Sequence, residues 1–264
     1  MLGVMKKPLQ LLSGLNLASV VRGLRFGLRD FAGACRASHA AAHPRESRAS
    51  VKINHSLSLI PSVTLDDLLG KTQCLQHFEL APYEDGRLPV HEALALLALL
   101  TAEAPAEALE IGTYMGHTTK AMAQNLPGAI VHTVDLPPDF AEPKDPDPSL
   151  PKDDFHLIQR RIVGREFKGQ PVENRIRQHF GDTAKINFQE FGKPTFFFID
   201  GSHTYEYCRQ DSEKCFALCG GRGVFLWHDC DDGHPGVIRF ILEWRAAGRD
   251  IRRITGTSLA YWKP

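Results

Sequence analysis

Short apolar runs, each closed by glycine or an acid, alternate with amphipathic stretches along residues 89–262. The run at 108–111 reads as a buried strand that enters a glycine turn at 112–116. A helix follows at about 118–125, with Thr118 or Thr119 capping or extending its start, and Pro127 and Gly128 end it. Residues 129–136 form a second strand, and residues 175–180 a third that runs into Gly181, Asp182 and Thr183. A helix is expected at 184–191. The run Thr-Phe-Phe-Phe-Ile at 195–199 is apolar throughout, as in a strand buried on both faces. A helix at 205–218, a strand at 223–227 and a helix at 235–247 follow, and 250–254 with 258–262 reads as a hairpin on the sheet edge. Upstream, 89–101 is a strong helix with Pro89 near its start, and 65–69 is a short one. Strands alternating with helices predict an α/β fold, doubly wound, with a mostly parallel seven-stranded sheet and an antiparallel C-terminal hairpin.

Two stretches break the alternation. Residues 37–50 are small and polar without an apolar period and read as a linker, which divides a segment at 1–55 from a folded domain at 56–264. Residues 137–151 are rich in proline and acid, too long for a minimal connection, and mark an inserted loop; a helix is expected near 154–161. Composition is ordinary for a globular chain, with 43% hydrophobic and 23% charged residues and a net charge of zero. No chain-wide field draws nucleic acid.

Charge is nonetheless uneven. Lys6, Lys7, Arg22, Arg25, Arg29, Arg36, Arg45, Arg48 and Lys52 face only Asp30 and Glu46 at the N-terminal end. This basic extension is compatible with a plain helical arm, an organelle transit segment, or a helix that lies on an anionic membrane surface or docks a partner subunit. Its apolar runs are too short and interrupted to span a bilayer. None of the six cysteines forms a C-x-x-C pair, so the default reading is a reducing, cytoplasmic setting. Cys208, Cys215 and Cys219 have helical spacing and are expected on one buried face.

In a parallel sheet, ligands bind outside the carboxyl ends of the strands. Sorted by that rule, Gly112, Asp135, Asp182, Asp200 with His203, and His228 with Asp229 all fall on one rim. A strand, a glycine turn and a helix N-terminus form a nucleotide site, and an acid at the next strand tip takes ribose hydroxyls. The turn lacks the middle glycine of G-x-G-x-x-G, and Glu110 lies just upstream, which suits a ligand carrying an ammonium and a sulfonium. The E-I-G-T-x-x-G pattern followed by V-D-L resembles motif I and the acidic strand of class I S-adenosylmethionine (SAM) methyltransferases.

Across residues 85–262, the segment Ile199-Asp-Gly-Ser-His-Thr-Tyr205 with His228-Asp229 resembles the branch of that family marked by I-D-G-x-H-x-Y and a terminal H-D. Its members are often small-molecule or sugar O-methyltransferases. The resemblance implies a Rossmann-like fold and SAM as cofactor. Glu110, Gly112, Thr113 and Gly116 would hold its methionine part, Asp135 its ribose and Asp182 its adenine; for Asp182 a helix N-cap is an equal reading. Ser202 stands where related metal-dependent sugar methyltransferases carry an acid.

The candidate catalytic cluster has two competing uses. In one, Asp200, His228 and Asp229 hold Mg2+ or another divalent cation that orients a substrate hydroxyl. In the other, His203, with Asp200 beside it, removes the hydroxyl proton without a metal. Asp231, Asp232 and His234 extend the metal site or form a solvated loop. The segment 164–167 closes over the cofactor or is an exposed turn, and 137–153 is a lid or a disordered loop. The expected partner is a small-molecule acceptor, in a monomer or a homo-oligomer, with a nicotinamide oxidoreductase or a non-catalytic docking protein of the same fold as alternatives.

Overall fold

The computed structural model describes residues 56–72, 74–79, 86–140, 158–159 and 161–264. The N-terminal extension, and most of the inserted loop and of the helix expected near 154–161, lie outside the described residues. The strands are β1 (Ser62–Val63), β2 (Glu107–Ile111), β3 (Ile130–Asp135), β4 (Ile176–Phe180), β5 (Phe196–Ile199), β6 (Val224–Trp227), β7 (Arg252–Ile254) and β8 (Ala260–Trp262). The α-helices are α1 (Leu65–Leu69), α2 (Val90–Glu103), α3 (His117–Asn125), α4 (Tyr205–Leu218) and α5 (Pro235–Ala246). None of them is long and apolar enough to cross a membrane.

One eight-stranded sheet runs in the order β1-β7-β8-β6-β5-β2-β3-β4. The pairs β3·β4, β2·β3, β2·β5 and β5·β6 are parallel, and β8 lies antiparallel to both β6 and β7. The expected seven strands are present, and β1 adds an eighth. It pairs in parallel with β7, so the C-terminal hairpin is not the sheet edge. Two residues were too short a run to stand out in the sequence; Arg253 N donating to the Pro61 carbonyl and Thr255 N to that of Val63 hold β1 there.

The central strands β2, β5 and β6 are buried on both faces because their apolar positions alternate between two cores. Ala108, Phe196, Phe198 and Leu226 pack with α2 and α3 residues such as Leu96, Leu97 and Met122 on one side. Leu109, Ile111, Phe197, Phe225 and Trp227 pack with Ile238, Phe240 and Trp244 of α5 on the other. Cys208 and Cys215 are buried in the second core as expected, while Cys219 caps α4 and is only partly buried; the five cysteines among the described residues are unbridged.

One element differs in kind from its expectation. Residues 184–191 do not form an α-helix; a 3-10 turn at Phe188–Phe191 takes their place. Asn187 accepts a hydrogen bond from Gln189 N at 3.1 Å, Phe188 and Phe191 both turn into the core, and Gly192 (φ 71°) and Pro194 follow at once. That spacing leaves no room for the second turn an α-helix needs.

The chain builds outward from β2 to β3 and β4, then returns to place β5 on the other side of β2. The crevice of a doubly wound sheet opens at this reversal. Asp200 N donates to the Ile111 carbonyl at 2.9 Å, so the tips of β2 and β5 are locked in register. Gly112 sits in this contact with φ 99°, and a Cβ there would lie 2.0 Å from the Asp200 carbonyl oxygen. Gly112→Ala is therefore expected to lower unfolding free energy by at least about 1–3 kcal/mol. A urea midpoint unchanged from the parent would show that the two tips are not in contact.

Candidate active site

The strand tips converge as the sequence implied. Gly112 N donates to Val134 O, Gly181 N to Asp135 O, Asp200 N to Ile111 O and His228 N to Ile199 O, at 2.9, 2.9, 2.9 and 3.1 Å. Each residue that follows a strand is thus held on the same rim as its neighbour. The structure brings Asp200, His203, His228 and Asp229 into one hydrogen-bonded group, and it places Glu110, Gly112, Thr113, Gly116 and Asp135 along β2, the glycine turn and β3.

Glu110 points into the apolar core on the α2 and α3 side and is 1% exposed. Its Oε2 accepts hydrogen bonds from the Thr119 hydroxyl and, at 2.7 Å, from the Thr133 hydroxyl, which lies 2.7 Å from that of Thr113. Oε1 has no partner among the described residues. Burial, against the two threonine hydrogen bonds, pushes the carboxyl up to about 8, so the acid is largely neutral at pH 7. Thr119 therefore does not cap α3, whose N-cap is Gly116 in a left-handed conformation; its hydroxyl is committed to Glu110.

The glycines serve packing as well as access. A Cβ on Gly116 would lie 2.6 Å from the Phe167 ring. Phe167 is 2% exposed, and Gly164 N and Glu166 N donate to the Tyr114 and Met115 carbonyls, each at 2.9 Å. The segment 164–167 is accordingly not a plain exposed turn. It is a backbone clasp that fixes the glycine turn from outside.

Asp135 accepts hydrogen bonds from Tyr114 N and Leu136 N, both at 2.7 Å, and pairs with Arg161 Nη2 at 3.0 Å. Burial raises its carboxyl above the ordinary value, and Arg161 opposes that shift. Arg161 is itself nearly enclosed, with Nε and Nη1 unsatisfied among the described residues. Asp182 accepts from Ala184 N at 2.9 Å and Tyr207 OH at 3.1 Å and pairs with Lys185 at 3.0 Å. Burial would raise its carboxyl, but these partners hold it below the usual range. Capping its turn is thus one role the geometry assigns to Asp182.

At the tips of β5 and β6 the charges are dense. His228 donates from Nε2 to Glu92 Oε2 at 2.9 Å, and its Nδ1 lies 3.0 Å from both Asp200 Oδ1 and Asp229 Oδ2. Burial lowers the affinity of this ring for its proton, but Asp200 and Asp229 more than reverse that and hold the imidazole well above its ordinary value. The ring sits among three carboxylates, those of Glu92, Asp200 and Asp229. His203 Nε2 lies 2.7 Å from Asp229 Oδ2. Burial disfavours the charge of Asp229, yet hydrogen bonds from His203 and His228 keep its carboxyl below the ordinary range. Asp229 has φ 58°, a conformation uncommon outside glycine that turns its side chain back toward both rings.

Sequence reasoning missed Glu92 and Arg161. Glu92 is 4% exposed in the first turn of α2 and also accepts from Ser258 N at 2.5 Å, so it ties the rim to α2 and to the C-terminal hairpin. Its signal was a lone acid at the head of a long apolar helix, which reads equally as a favourable charge at a helix N-terminus. Arg161 follows the inserted loop, and nothing in its local pattern marked it.

Two observations fit an adenosyl cation on this rim. Among the described residues, Glu110 has a buried oxygen without a partner, and Arg161, with two unsatisfied donors, pairs with the acid expected to meet the ribose. The raised Glu110 carboxyl also fixes a pH dependence. The folded chain keeps its proton between about 4.5 and about 8, where the unfolded chain has released it. Stability of the ligand-free protein should therefore fall as pH rises through this window, by on the order of a few kcal/mol, and level off above it. Glu110→Gln should flatten that decline in urea unfolding followed from pH 5 to 8.5; parallel profiles for the two proteins would contradict the assignment.

Comparison with known proteins adds to this geometry. Residues 109–230 match the family model described as "Methyltransferase domain". No curated protein matches the chain. Among solved structures, the SAH-bound Podospora anserina methyltransferase PaMTH1 is similar at 16% identity and a TM-score of 0.51, over 68% of this chain and 81% of that one. The O-methyltransferase NovP is similar at 15% identity and 0.51, over 67% and 80%, and cofactor-bound Rv0187 from MTB at 15% and 0.50, over 69% and 83%. At such identities the likeness is one of fold, and the family model adds that residues 109–230, from β2 to the tip of β6, are similar to a methyltransferase domain.

Proposed function

We propose that the protein transfers the methyl group of SAM to a hydroxyl of a small molecule, with a sugar or a glycan precursor as the acceptor class. The observation that carries this reading is the His203–Asp229 pair, 2.7 Å apart, at the strand tips beside the β2/β5 reversal. Similarity in fold to the O-methyltransferase NovP supports oxygen as the acceptor atom. The methyltransferase family match leaves the nicotinamide alternative without support.

Bound SAM supplies a methyl group already activated on a sulfonium, so little covalent assistance is needed. The chain's own task is alignment and proton removal. Glu110, Gly112, Thr113 and Gly116 would face the methionine part, Asp135 with Arg161 the ribose, and Asp182 the adenine. His203 would take the proton of the acceptor hydroxyl, while SAM bound at the strand tips would supply the methyl group and keep on sulfur the electron pair of the broken carbon–sulfur bond. Asp229, bonded to His203 Nε2, orients the ring and stabilises the imidazolium that forms. His228 keeps the neighbouring carboxylates of Asp200 and Glu92 compensated without a metal.

A divalent cation at Asp200, His228 and Asp229 is the second reading. One ligand atom from each lies within 4.8 Å of the others, and Glu92 backs His228 as carboxylates commonly back a metal-bound imidazole.

Calorimetry should show S-adenosylhomocysteine binding to the full chain, and absence of binding at high ligand concentration would remove the reading. With an acceptor in hand, His203→Ala should lower kcat by about 10²- to 10⁴-fold while leaving the Kd of S-adenosylhomocysteine within about threefold. Equal kcat in the variant would assign the proton elsewhere. Chelation should leave the rate unchanged; restoration of a lost rate by Mg2+ or Mn2+ would select the second reading.

A further inference from the structure

The loop after β6 brings two more polar side chains to the rim, Asp231 and His234, that methyl transfer does not use. His234 is the N-cap residue of α5, and its ring faces that of His203 with centroids 4.4 Å apart and planes inclined by 40°. The two oxygens of Asp229 divide between these rings. Oδ2 is 2.7 Å from His203 Nε2, and Oδ1 is 3.4 Å from His234 Nδ1. Asp231 Oδ1 lies 2.9 Å from the same His234 nitrogen. One ligand atom from each of His203, Asp229 and His234 lies within 4.8 Å of the other two.

Backbone packing holds the two histidines together. A Cβ on Gly236 would lie 2.4 Å from the His203 carbonyl oxygen and 2.6 Å from Tyr205 N. The first turn of α5 is thus pressed directly onto the segment that carries His203, at a distance only glycine permits. Cys230 N donates to the Ser258 carbonyl at 2.8 Å, which anchors the chain immediately after Asp229.

From this arrangement we infer that His203, Asp229 and His234 form a binding site for a d-block divalent cation such as Zn2+ or Co2+, with Asp231 as an adjoining carboxylate. Two imidazoles and a carboxylate are the donor set these ions prefer over Mg2+ or Ca2+, which favour oxygen alone. Bond lengths of about 2.0–2.1 Å in tetrahedral geometry set donor atoms roughly 3.3 Å apart. The present separations, 2.7 Å from His203 Nε2 to Asp229 Oδ2 and 3.4 Å from His234 Nδ1 to Asp229 Oδ1, are close to that value but end on different carboxylate oxygens, so side-chain shifts about Asp229 bring one oxygen to both rings. The group is distinct from Asp200, His228 and Asp229, and shares only Asp229 with it. The site stands on its own donors. Only its consequence rests on the proposed function: an ion bound here takes the lone pair of His203, so that ring no longer accepts the hydroxyl proton and the ion inhibits transfer.

The test is a titration of the full-length, chelator-stripped protein with Co2+, read by its visible ligand-field absorption. A one-to-one complex is expected, with a band stronger than that of hydrated Co2+, displaced by Zn2+ and not by excess Mg2+. His234→Gln should weaken Co2+ binding by about tenfold or more, as loss of a metal ligand does. Asp200→Asn should retain it. S-adenosylhomocysteine affinity of His234→Gln within about twofold of the parent verifies that the fold persists. Identical Co2+ titrations for parent and His234→Gln, or loss in Asp200→Asn with retention in His234→Gln, would overturn the assignment. Co2+ binding at His234 without any S-adenosylhomocysteine binding would keep the metal site and remove the methyl-transfer reading.

Discussion

The parallel pairing of β2 with β5 governs the placement of every functional group described here. It puts the glycine turn after β2 against the Asp200 carbonyl and sets the reversal of strand order at that seam. Parallel strands need crossovers, so α3 and α4 both return the chain to the amino end before the next strand starts. Each strand then delivers its closing residue to one edge. The pairing also explains why the glycine at 112 is needed: its neighbour is a carbonyl oxygen of the protein itself.

Electrostatics at that edge follows from burial combined with close partners. Asp200, Asp229 and Glu92 surround His228, and together the two aspartates hold its imidazole above the ordinary value against burial. A lone buried carboxylate is costly and neutralises itself, as Glu110 does at the other end of the rim. The two acids behave differently because Asp229 has two histidine partners and Glu110 has only hydroxyl donors. The site thus contains one carboxylate held charged beside an imidazole and another held neutral beside the glycine turn. The first suits proton transfer; the second suits a cation brought in by a ligand.

Much of the fold was legible in the sequence because the strands carry uninterrupted apolar runs and end in glycine, aspartate or histidine. Those tip residues marked the rim, and the helix at 205–218 has the bounds expected; the structure adds its cap, Thr204, whose hydroxyl accepts from Tyr207 N. The illegible parts depended on distant partners. Nothing local shows that Glu92 lies against His228, 136 positions along the chain, or that Arg161 reaches Asp135. β1 had too few residues to show a pattern, and the 3-10 turn at Phe188–Phe191 is set by two phenylalanines finding the core. The packing of 164–167 was illegible for the same reason: Phe167 is a single aromatic within a polar run.

A crystal structure of the full chain with S-adenosylhomocysteine tests the central claim most directly. The account predicts the ligand lying across the tips of β2 and β5, with its adenosine toward Asp135 and its sulfur toward Asp200 and His203. Ligand density on the opposite edge of the sheet, or a side chain filling the position of the sulfur while the ligand sits elsewhere, would contradict it.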